Sequence, residues 1–252
     1  MLEVLILSLI QGATEFIPVS SSSHLILVSN YFEFENQNLM IDVNLHIGSF
    51  FAVLFYFRKD VFNFFKNKNL FLKIFISSIP VMLMGYVLVK YNLIEHLRNI
   101  KIIGWTTIIF GILLFISDKS KSKKKIDKNL NYKSAILIGL FQVLSLIPGV
   151  SRSGITITAG RLLEFERVEA AKISFLLSIP TLAAVTLFGI NDLMSSGNLN
   201  FSLLNVLSIG FSFIFSLLTI KIFLKFIENF NLNIFVIYRI LLGTLILLLS
   251  YL

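Results

Sequence analysis

The sequence predicts an all-α integral membrane protein with six transmembrane helices and two re-entrant helix-turn-helix hairpins. Of its 252 residues 56% are hydrophobic and the mean hydropathy is +0.85, which is more apolar surface than a soluble domain of this length can bury. Two apolar segments, 2–33 and 134–163, are broken near the middle by Pro and Ser, so each is expected to enter and leave the membrane on one side. Six further runs approach the length that crosses a bilayer: 43–57, 70–89, 102–117, 173–190, 203–220 and 234–250.

The distribution of positive charge orients these helices. With the N-terminus outside, the loops that face the cytoplasm contain sixteen Lys and Arg residues, and the outward loops contain three. This is a strong positive-inside bias. The net charge of +8 therefore reflects membrane topology and does not indicate nucleic-acid binding. The absence of cysteine excludes thiol nucleophiles and thiolate metal sites.

The same topology predicts two units of opposite orientation. Residues 1–117 form the first unit, with its hairpin at 2–33 and three spans, and residues 134–252 form the second, with its hairpin at 134–163. Residues 118–133 are a basic cytoplasmic linker between them. Such an inverted-topology repeat places its site near the membrane midplane, where the broken elements meet.

Two motifs mark the centres of the hairpins: IPVSSSSH at Ile17–His24 and IPGVSRSG at Ile147–Gly154. In each, Ile-Pro leads into a hydroxyl-rich turn and then an apolar helix. Serines and an arginine are costly at membrane depth, so the two turns are predicted to form the functional site. Hydroxyls, free N–H groups at helix N-termini and a guanidinium suit an anion, in particular a phosphate.

Arg152 and Glu15 are the central charged residues of this prediction. An arginine buried in a turn needs an anionic partner, which is Glu15 in the protein alone and phosphate oxygens when substrate is bound. Glu15 shares a helix face with Gln11. The simpler alternatives are that Arg152 snorkels to the lipid headgroups and that Glu15 hydrogen-bonds a neighbouring helix. Three further residues near Arg152 are expected to donate to the same anion: Ser151, Ser153 and Thr156.

The first turn offers further candidates. Residues 20–23 are four serines, of which one suffices to cap the following helix. His24 lies three residues after Ser21 and serves either as a structural hydrogen-bonding group or as a base or nucleophile towards phosphorus. His46, one helical turn from Asp42, is expected to be structural.

Two polar residues in the second half are less specific. Gln142 either faces the site or bridges helices. Arg239, inside the last apolar run, is expected to snorkel to the cytoplasmic headgroups, although it could also reach towards the site.

QGATEF at Gln11–Phe16 with PVSSSSH at Pro18–His24, and PGVSRSGITIT at Pro148–Thr158, resemble the two signatures of the undecaprenyl-diphosphate phosphatase family, known for bacitracin resistance. The likeness extends over nearly the whole chain. It includes three flanking segments: DVNLHIGSFFAVLFYF (Asp42–Phe57), SFLLSIP (Ser174–Pro180) and IYR (Ile237–Arg239).

The resemblance implies a multi-pass enzyme of the bacterial cytoplasmic membrane. The family removes the terminal phosphate of undecaprenyl diphosphate and so recycles the lipid carrier of peptidoglycan synthesis. It implies a divalent cation, Mg²⁺ or Ca²⁺, held by Glu15 and Gln11. Residues implied as catalytic are Glu15, Ser21, His24 and Arg152, and those implied as substrate-binding are Gln11, Ser20, Ser22, Ser151, Ser153 and Thr156.

One position departs from the family pattern. The family commonly reads Ser-Ser-Thr-Gly-His where this chain reads Ser-Ser-Ser-Ser-His, so Ser23 replaces a glycine. The backbone at Ser23 must therefore avoid a strongly positive φ.

A polyprenyl diphosphate is thus the expected partner, with its chain among membrane lipids and the site opening to the external side. A homodimer is one alternative for the oligomeric state. Two rival functions remain: a transporter or flippase for an anionic lipid phosphate, because inverted repeats with broken helices are common in transporters, and a non-catalytic membrane scaffold.

Overall fold

The computed structural model describes residues 1–31, 39–64, 68–91, 93, 97, 99–121, 123–195 and 202–251. Nearly all of them are helical, and the β-structure in these ranges is one isolated bridge between Lys124 and Phe165. The protein is therefore an all-α membrane protein, as the sequence predicts. Its helices in chain order are α1 Leu2–Thr14, α2 Ser21–Tyr31, α3 Leu39–Tyr56, α4 Arg58–Phe64, α5 Lys68–Lys90, α6 Ile100–Asp118, α7 Ile126–Asn129, α8 Tyr132–Val143, α9 Arg152–Leu162, α10 Arg167–Ser195, α11 Leu203–Asn229 and α12 Asn233–Tyr251.

Within the described ranges, five helices are long and apolar enough to cross a membrane, namely α5, α6, α10, α11 and α12. The remaining predicted span, 43–57, corresponds to α3, which is apolar but has only 18 residues and a length of about 27 Å at the usual helical rise. Large apolar side chains on the outer faces of the helices, such as Leu83, Leu187 and Leu241, are more than 60% exposed. Such a surface is typical of a protein whose outer face meets lipid.

The two predicted hairpins are present as helix-turn-helix units. Helix α1 contacts α2, and α8 contacts α9. A short 3₁₀ helix, Leu144–Leu146, leads from α8 into its turn. Each of the four helices has 11 to 13 residues, or less than about 20 Å, which is too short to cross a hydrocarbon core of about 30 Å. This length is what a re-entrant hairpin requires.

Each hairpin packs against the other half of the chain. Helix α1 packs on α11, α8 packs on α5, α3 packs on α10, and α6 packs on α12. In the predicted repeat, α1 corresponds to α8, α5 to α11, α3 to α10 and α6 to α12. Exchanging the two units therefore turns the α1–α11 contact into the α8–α5 contact and leaves the α3–α10 and α6–α12 contacts unchanged. The division into two inverted units stays a prediction, and this packing favours it.

Small residues let the helices around the first hairpin approach closely. A Cβ atom on Gly12 of α1 would lie 2.6 Å from the side chain of Phe215 on α11. On α3, the Ser49 hydroxyl lies 3.2 Å from that of Ser212 and 2.9 Å from that of Ser216, both on α11. Close backbones and interhelical hydroxyl bonds are the usual means of packing helices in a membrane. The close approach at Gly12 holds α1, and with it the first turn, against α11, and the hydroxyl bonds of Ser49 hold α3 against the same helix.

The basic linker packs against the end of the second hairpin. Asp118, 5% exposed, accepts hydrogen bonds from Arg161 Nε at 3.2 Å and Arg167 Nε at 2.8 Å. Lys124 Nζ forms an ion pair with Glu164 Oε2 at 2.9 Å. The sequence predicts a basic linker here, whereas the structure adds a buried carboxylate that anchors it to the hairpin.

Candidate active site

The two hydroxyl turns end in the same unusual backbone conformation. Ser20 has φ 78° and Ser151 has φ 71°, and each follows a buried valine, Val19 or Val150, and precedes a helix. A non-glycine residue in this region is uncommon and raises the free energy of the fold. Strain of this kind, repeated at matching positions of both turns, is typical of a functional site.

An ion pair joins the two turns. Arg152 Nη2 lies 2.8 Å from Glu15 Oε1, and the two side chains are 14% and 8% exposed. The residues are 137 positions apart and come from opposite halves of the chain. The predicted pairing is therefore confirmed, and Arg152 does not snorkel to the headgroups.

Two predicted site residues also donate hydrogen bonds to the Glu15 carboxylate. Its Oε2 atom accepts hydrogen bonds from Gln11 Nε2 at 3.1 Å and from Ser21 Oγ at 2.8 Å. The neighbouring Phe16 is fully buried and packs edge-on against Phe175, with ring centroids 5.3 Å apart. The carboxylate thus receives three donors, and one of them, Ser21, is a candidate nucleophile.

Arg152 is held by α10 as well as by Glu15. Its Nη1 donates to the carbonyl oxygen of Ser174 at 3.0 Å. Thr156 Oγ1 lies 2.8 Å from the carbonyl oxygen of Arg152 and 2.7 Å from Ser174 Oγ, and its one hydroxyl hydrogen can be donated to either of them. In this geometry Thr156 supports Arg152 and its own helix. Sequence reasoning did not single out Ser174, for which the quoted SFLLSIP segment was the available signal.

The hydroxyls of Ser151 and Ser153 also act within the protein. Ser151 Oγ caps α9 by accepting from the Gly154 N–H at 3.1 Å. Ser153 Oγ donates to the carbonyl of Ile17 at 2.8 Å and so ties the second turn to the first. Their predicted contact with substrate stays a prediction.

In the run of four serines the side chains separate into two groups. Ser21 reaches Glu15, whereas Ser20 Oγ lies 3.3 Å from Ser22 Oγ and 3.0 Å from Ser23 Oγ. Ser22 is exposed. Ser23 lies inside α2, and the positive φ falls on Ser20 instead, which explains why the family's glycine is not needed at position 23.

The hydrogen bonds of the His24 ring are with groups other than the Ser21 hydroxyl. Its Nδ1 donates to the carbonyl of Ser20 at 2.6 Å, which leaves Nε2 as the acceptor of a hydrogen bond from the Tyr238 hydroxyl at 2.5 Å. The two rings are nearly parallel. The hydrogen bonds therefore pair Ser21 with Glu15 rather than with His24. Tyr238 was not predicted individually, and the IYR segment was its signal.

The structure also describes two weaker candidates, His46 and Gln142. His46 Nδ1 donates to the carbonyl of Asp42 at 2.7 Å, the expected structural contact. Gln142 is fully buried, and neither of its amide atoms has a hydrogen-bond partner in the described part of the chain.

Arg239 is not at the membrane surface, so the snorkelling expectation is wrong. It is fully buried because helix packing directs it at backbone carbonyls of the two turns and of α6. Nη1 donates to Pro18 at 3.2 Å and Val150 at 3.0 Å, Nη2 to Gly149 at 2.8 Å, and Nε to Thr107 at 3.1 Å. The alternative, that Arg239 reaches the site, is the correct one.

The residues beside the ion pair fit a divalent cation in one respect. Gln11 Oε1 is buried and has no hydrogen-bond partner among the described residues, and it adjoins the Glu15 carboxylate. The described ranges contain no group of three or more His, Asp or Glu residues placed to hold a metal. Mg²⁺ commonly takes one or two protein oxygens and completes its shell with water and substrate phosphates. The donor set suits such a shared cation and not an all-protein cage.

The fold and the site define a class: an all-α, multi-pass membrane protein with a buried acid–arginine pair between two broken hairpins. The family model described as Bacitracin resistance protein BacA matches residues 4–245. A relative from Pelagibacter ubique called undecaprenyl-diphosphatase is 49% identical, over 99% of this chain and 98% of its own. Relatives from Saccharophagus degradans, called undecaprenyl-diphosphatase, and Pseudoalteromonas translucida, called undecaprenyl-diphosphatase 1, are each 41% identical over 96% of this chain and cover 95% and 96% of their own lengths. The chain belongs to the BacA bacitracin resistance family.

Proposed function

We propose that this protein hydrolyses undecaprenyl diphosphate to undecaprenyl phosphate and inorganic phosphate. The reaction recycles the lipid carrier for cell-wall synthesis and confers resistance to bacitracin. The observation on which the proposal rests is the buried Glu15–Arg152 pair, at 2.8 Å, between two hydroxyl turns in a chain of this family. The pair supplies a cation for a phosphate group and an acid–base group beside it.

The diphosphate head binds between the two turns. Arg152 and the free N–H groups at the N-termini of α2 and α9 attract its oxygens, because both helices begin at the turns and present their positive dipole ends there. The polyprenyl chain lies along the apolar outer faces of the helices, among membrane lipids. Phosphate oxygens compete with Glu15 for Arg152, which frees the carboxylate to accept a proton.

The nucleophile is Ser21, and its base is Glu15. The Ser21 hydroxyl already donates to Glu15 Oε2 at 2.8 Å, which is hydrogen-bond reach for proton transfer. The Oγ–P bond forms at the terminal phosphorus while the bond from that phosphorus to the bridging oxygen breaks, and undecaprenyl phosphate leaves. Glu15 passes the proton it took from Ser21 to the departing phosphate and is ionised again. Water then attacks the phosphoserine, and Glu15 takes one of the water protons and returns it to Ser21 Oγ as the Oγ–P bond breaks and inorganic phosphate is released.

A bound Mg²⁺ or Ca²⁺ would neutralise charge on the phosphates, with Glu15 and Gln11 Oε1 as its protein ligands. His24 acts through the backbone: it holds the carbonyl of Ser20 at 2.6 Å, the residue before Ser21. Tyr238 in turn holds the ring of His24.

The protein resides in the bacterial cytoplasmic membrane, with the site opening to the external side. The support is the charge bias of the loops, which places the basic linker inside and the turn of the first hairpin within reach of the outer leaflet. Lipid diphosphate is therefore processed on the external side.

The deciding experiment is phosphate release from a long-chain prenyl diphosphate by purified protein in detergent. We expect the wild type to be active, and Glu15→Ala and Arg152→Ala each to lower kcat/KM by about 10²-fold or more, because each removes a buried charge next to the reacting phosphate. Asp60→Asn is the matched control, since Asp60 pairs with Lys172 at 2.7 Å in a partly exposed ion pair; it should keep the wild-type rate.

The same assay separates hydrolysis from transport. Phosphate release needs no closed vesicle, whereas movement of an anionic lipid across a bilayer does. A wild-type protein that releases no phosphate in detergent, yet moves prenyl phosphate across vesicles, would contradict the proposal and favour the flippase.

A further inference from the structure

Arg239 on α12 is a buried cation that contacts both hydroxyl turns. It is the largest fully buried side chain in the described part of the protein. Its guanidinium uses four N–H groups on four carbonyl oxygens at 2.8 to 3.2 Å. None of the ion pairs found in the described ranges includes it. Its partners are therefore backbone groups, and three of the four belong to the hydroxyl turns.

Those carbonyls need a donor because the turns interrupt the helices. A carbonyl outside a helix and away from water must be satisfied by another group. Arg239 bonds Pro18 in the first turn, and Gly149 and Val150 in the second. A planar fork of five N–H groups can serve four acceptors at once, whereas the ammonium group of a lysine has three N–H donors.

The bonded carbonyls flank the reacting residues along the chain. Pro18 lies between Glu15 and Ser21, and Val150 lies two residues before Arg152. Other direct ties between the turns are the Glu15–Arg152 pair itself and the Ser153 hydroxyl on Ile17. Arg239 is therefore a further tie between the turns, and it acts on backbone carbonyls rather than on side chains.

Two glycines, Gly154 and Gly111, leave just enough space for the side chain of Arg239 between their helices. A Cβ atom on Gly154 of α9 would lie 2.9 Å from Arg239 Nη1, and one on Gly111 of α6 would lie 3.1 Å from Arg239 Cβ. Two helices thus present glycine where the guanidinium and its stem pass. The position of Arg239 is set by packing on both sides.

We infer that Arg239 is a positioning residue: it holds the two turns in the register that brings Glu15, Ser21 and Arg152 together. The inference rests on the proposed function. It assigns Arg239 no contact with substrate, so turnover should depend on it more strongly than substrate binding does.

The test is Arg239→Lys, which keeps the positive charge and loses the fork. We expect kcat for a long-chain prenyl diphosphate in detergent to fall by about 10²-fold, as for a small misplacement of reacting groups, with KM changed by less than about threefold. Arg161→Lys is the matched control, because Arg161 is also buried but donates to Asp118 and to the carbonyls of Phe165 and Ser120. It should lower the melting temperature and leave kcat within about twofold of the wild type.

A second pair of variants tests the same inference if Arg239→Lys folds poorly. Gly111→Ala presses on Arg239, whereas Gly104→Ala, on the same face of α6, meets the Leu247 side chain at 2.7 Å instead. Both disturb the contact between α6 and α12, but only Gly111→Ala should lower kcat, by about fivefold or more.

Equal losses of kcat in Arg239→Lys and Arg161→Lys, or in Gly111→Ala and Gly104→Ala, would overturn the inference, and so would a rise in KM at constant kcat. The wild-type rate separates the two proposals. A wild type that releases no phosphate overturns the proposed function, whereas an active wild type with an undiminished Arg239→Lys rate overturns only the positioning role.

Discussion

Ser21 and His24 are three residues apart, yet their side chains have different partners. Ser21 donates to Glu15, and His24 lies between the carbonyl of Ser20 and the hydroxyl of Tyr238. One helical turn therefore offers two groups with nucleophilic chemistry, and their hydrogen bonds distinguish them. The bond to a carboxylate favours Ser21 as the residue that is phosphorylated.

Ser21→Ala tests this assignment at the residue scale. We expect phosphate release to fall by about 10³-fold or more, since removal of a nucleophile abolishes the covalent route. Rapidly quenched wild-type enzyme should contain phosphoserine at position 21 by mass spectrometry. The control is Ser23→Gly, because the Ser23 hydroxyl forms a hydrogen bond with the Ser20 hydroxyl and not with Glu15. The Ser23→Gly variant should release phosphate at close to the wild-type rate. A phosphohistidine at position 24 would contradict the assignment.

At the scale of elements, the second hairpin is held at both ends. Its turn is fixed by Arg239 and by the ion pair with Glu15. Its far end is fixed by Asp118, which also accepts from the N–H of Leu232, close to the start of α12. The linker, α9, α10 and α12 therefore meet at one carboxylate.

Asp118→Asn should destabilise the protein strongly. The change leaves the buried Arg161 without a carboxylate, and the partly exposed Arg167 loses the same partner. Breaking a buried pair by removing one partner costs about 3–5 kcal/mol. Thermal unfolding in detergent should show a clear drop in melting temperature. Asp60→Asn, in the partly exposed pair with Lys172, should cost no more than about 1 kcal/mol. Equal melting temperatures for the two variants would show that the Asp118 cluster adds nothing to stability.

At the scale of the whole molecule, the two turns meet because each hairpin packs against the opposite half of the chain. Helix α1 packs on α11 and α8 packs on α5, so each turn is carried into the other half of the protein. If the halves have opposite orientations, the turns enter from opposite faces and meet in the middle.

The orientation can be measured with single cysteines, since the natural chain has none. Lys121→Cys lies in the basic linker, and Tyr91→Cys lies just after α5, where Tyr91 is 64% exposed. We expect an impermeant maleimide to label position 121 only in inside-out vesicles and position 91 only in right-side-out vesicles, as the positive-inside bias requires. Labelling of both positions from one side would refute the predicted topology.

Much of the site could be predicted from local sequence. Hydroxyls, a glutamate and an arginine in apolar segments are conspicuous because polar groups at membrane depth are costly, and this pointed to Glu15, Arg152 and the serines at 20–23, among which the family resemblance pointed to Ser21. Residues that act through partners distant in the chain were harder to predict. Nothing local shows that Arg239 faces two turns rather than headgroups, that Tyr238 meets His24, or that Asp118 is buried under two arginines.

The sequence alone determined the class of fold, the two hairpins and the pairing of Glu15 with Arg152. Hydropathy, charge bias and broken helices are properties of short segments, and a buried ion needs a counter-ion wherever the chain provides one. The tertiary structure decided which carbonyls Arg239 bonds, that Ser21 rather than His24 reaches the carboxylate, and how the linker is anchored. These depend on the rotation and depth at which helices far apart in sequence pack together, and a rotation of one helix by one residue presents a different side chain to its neighbour.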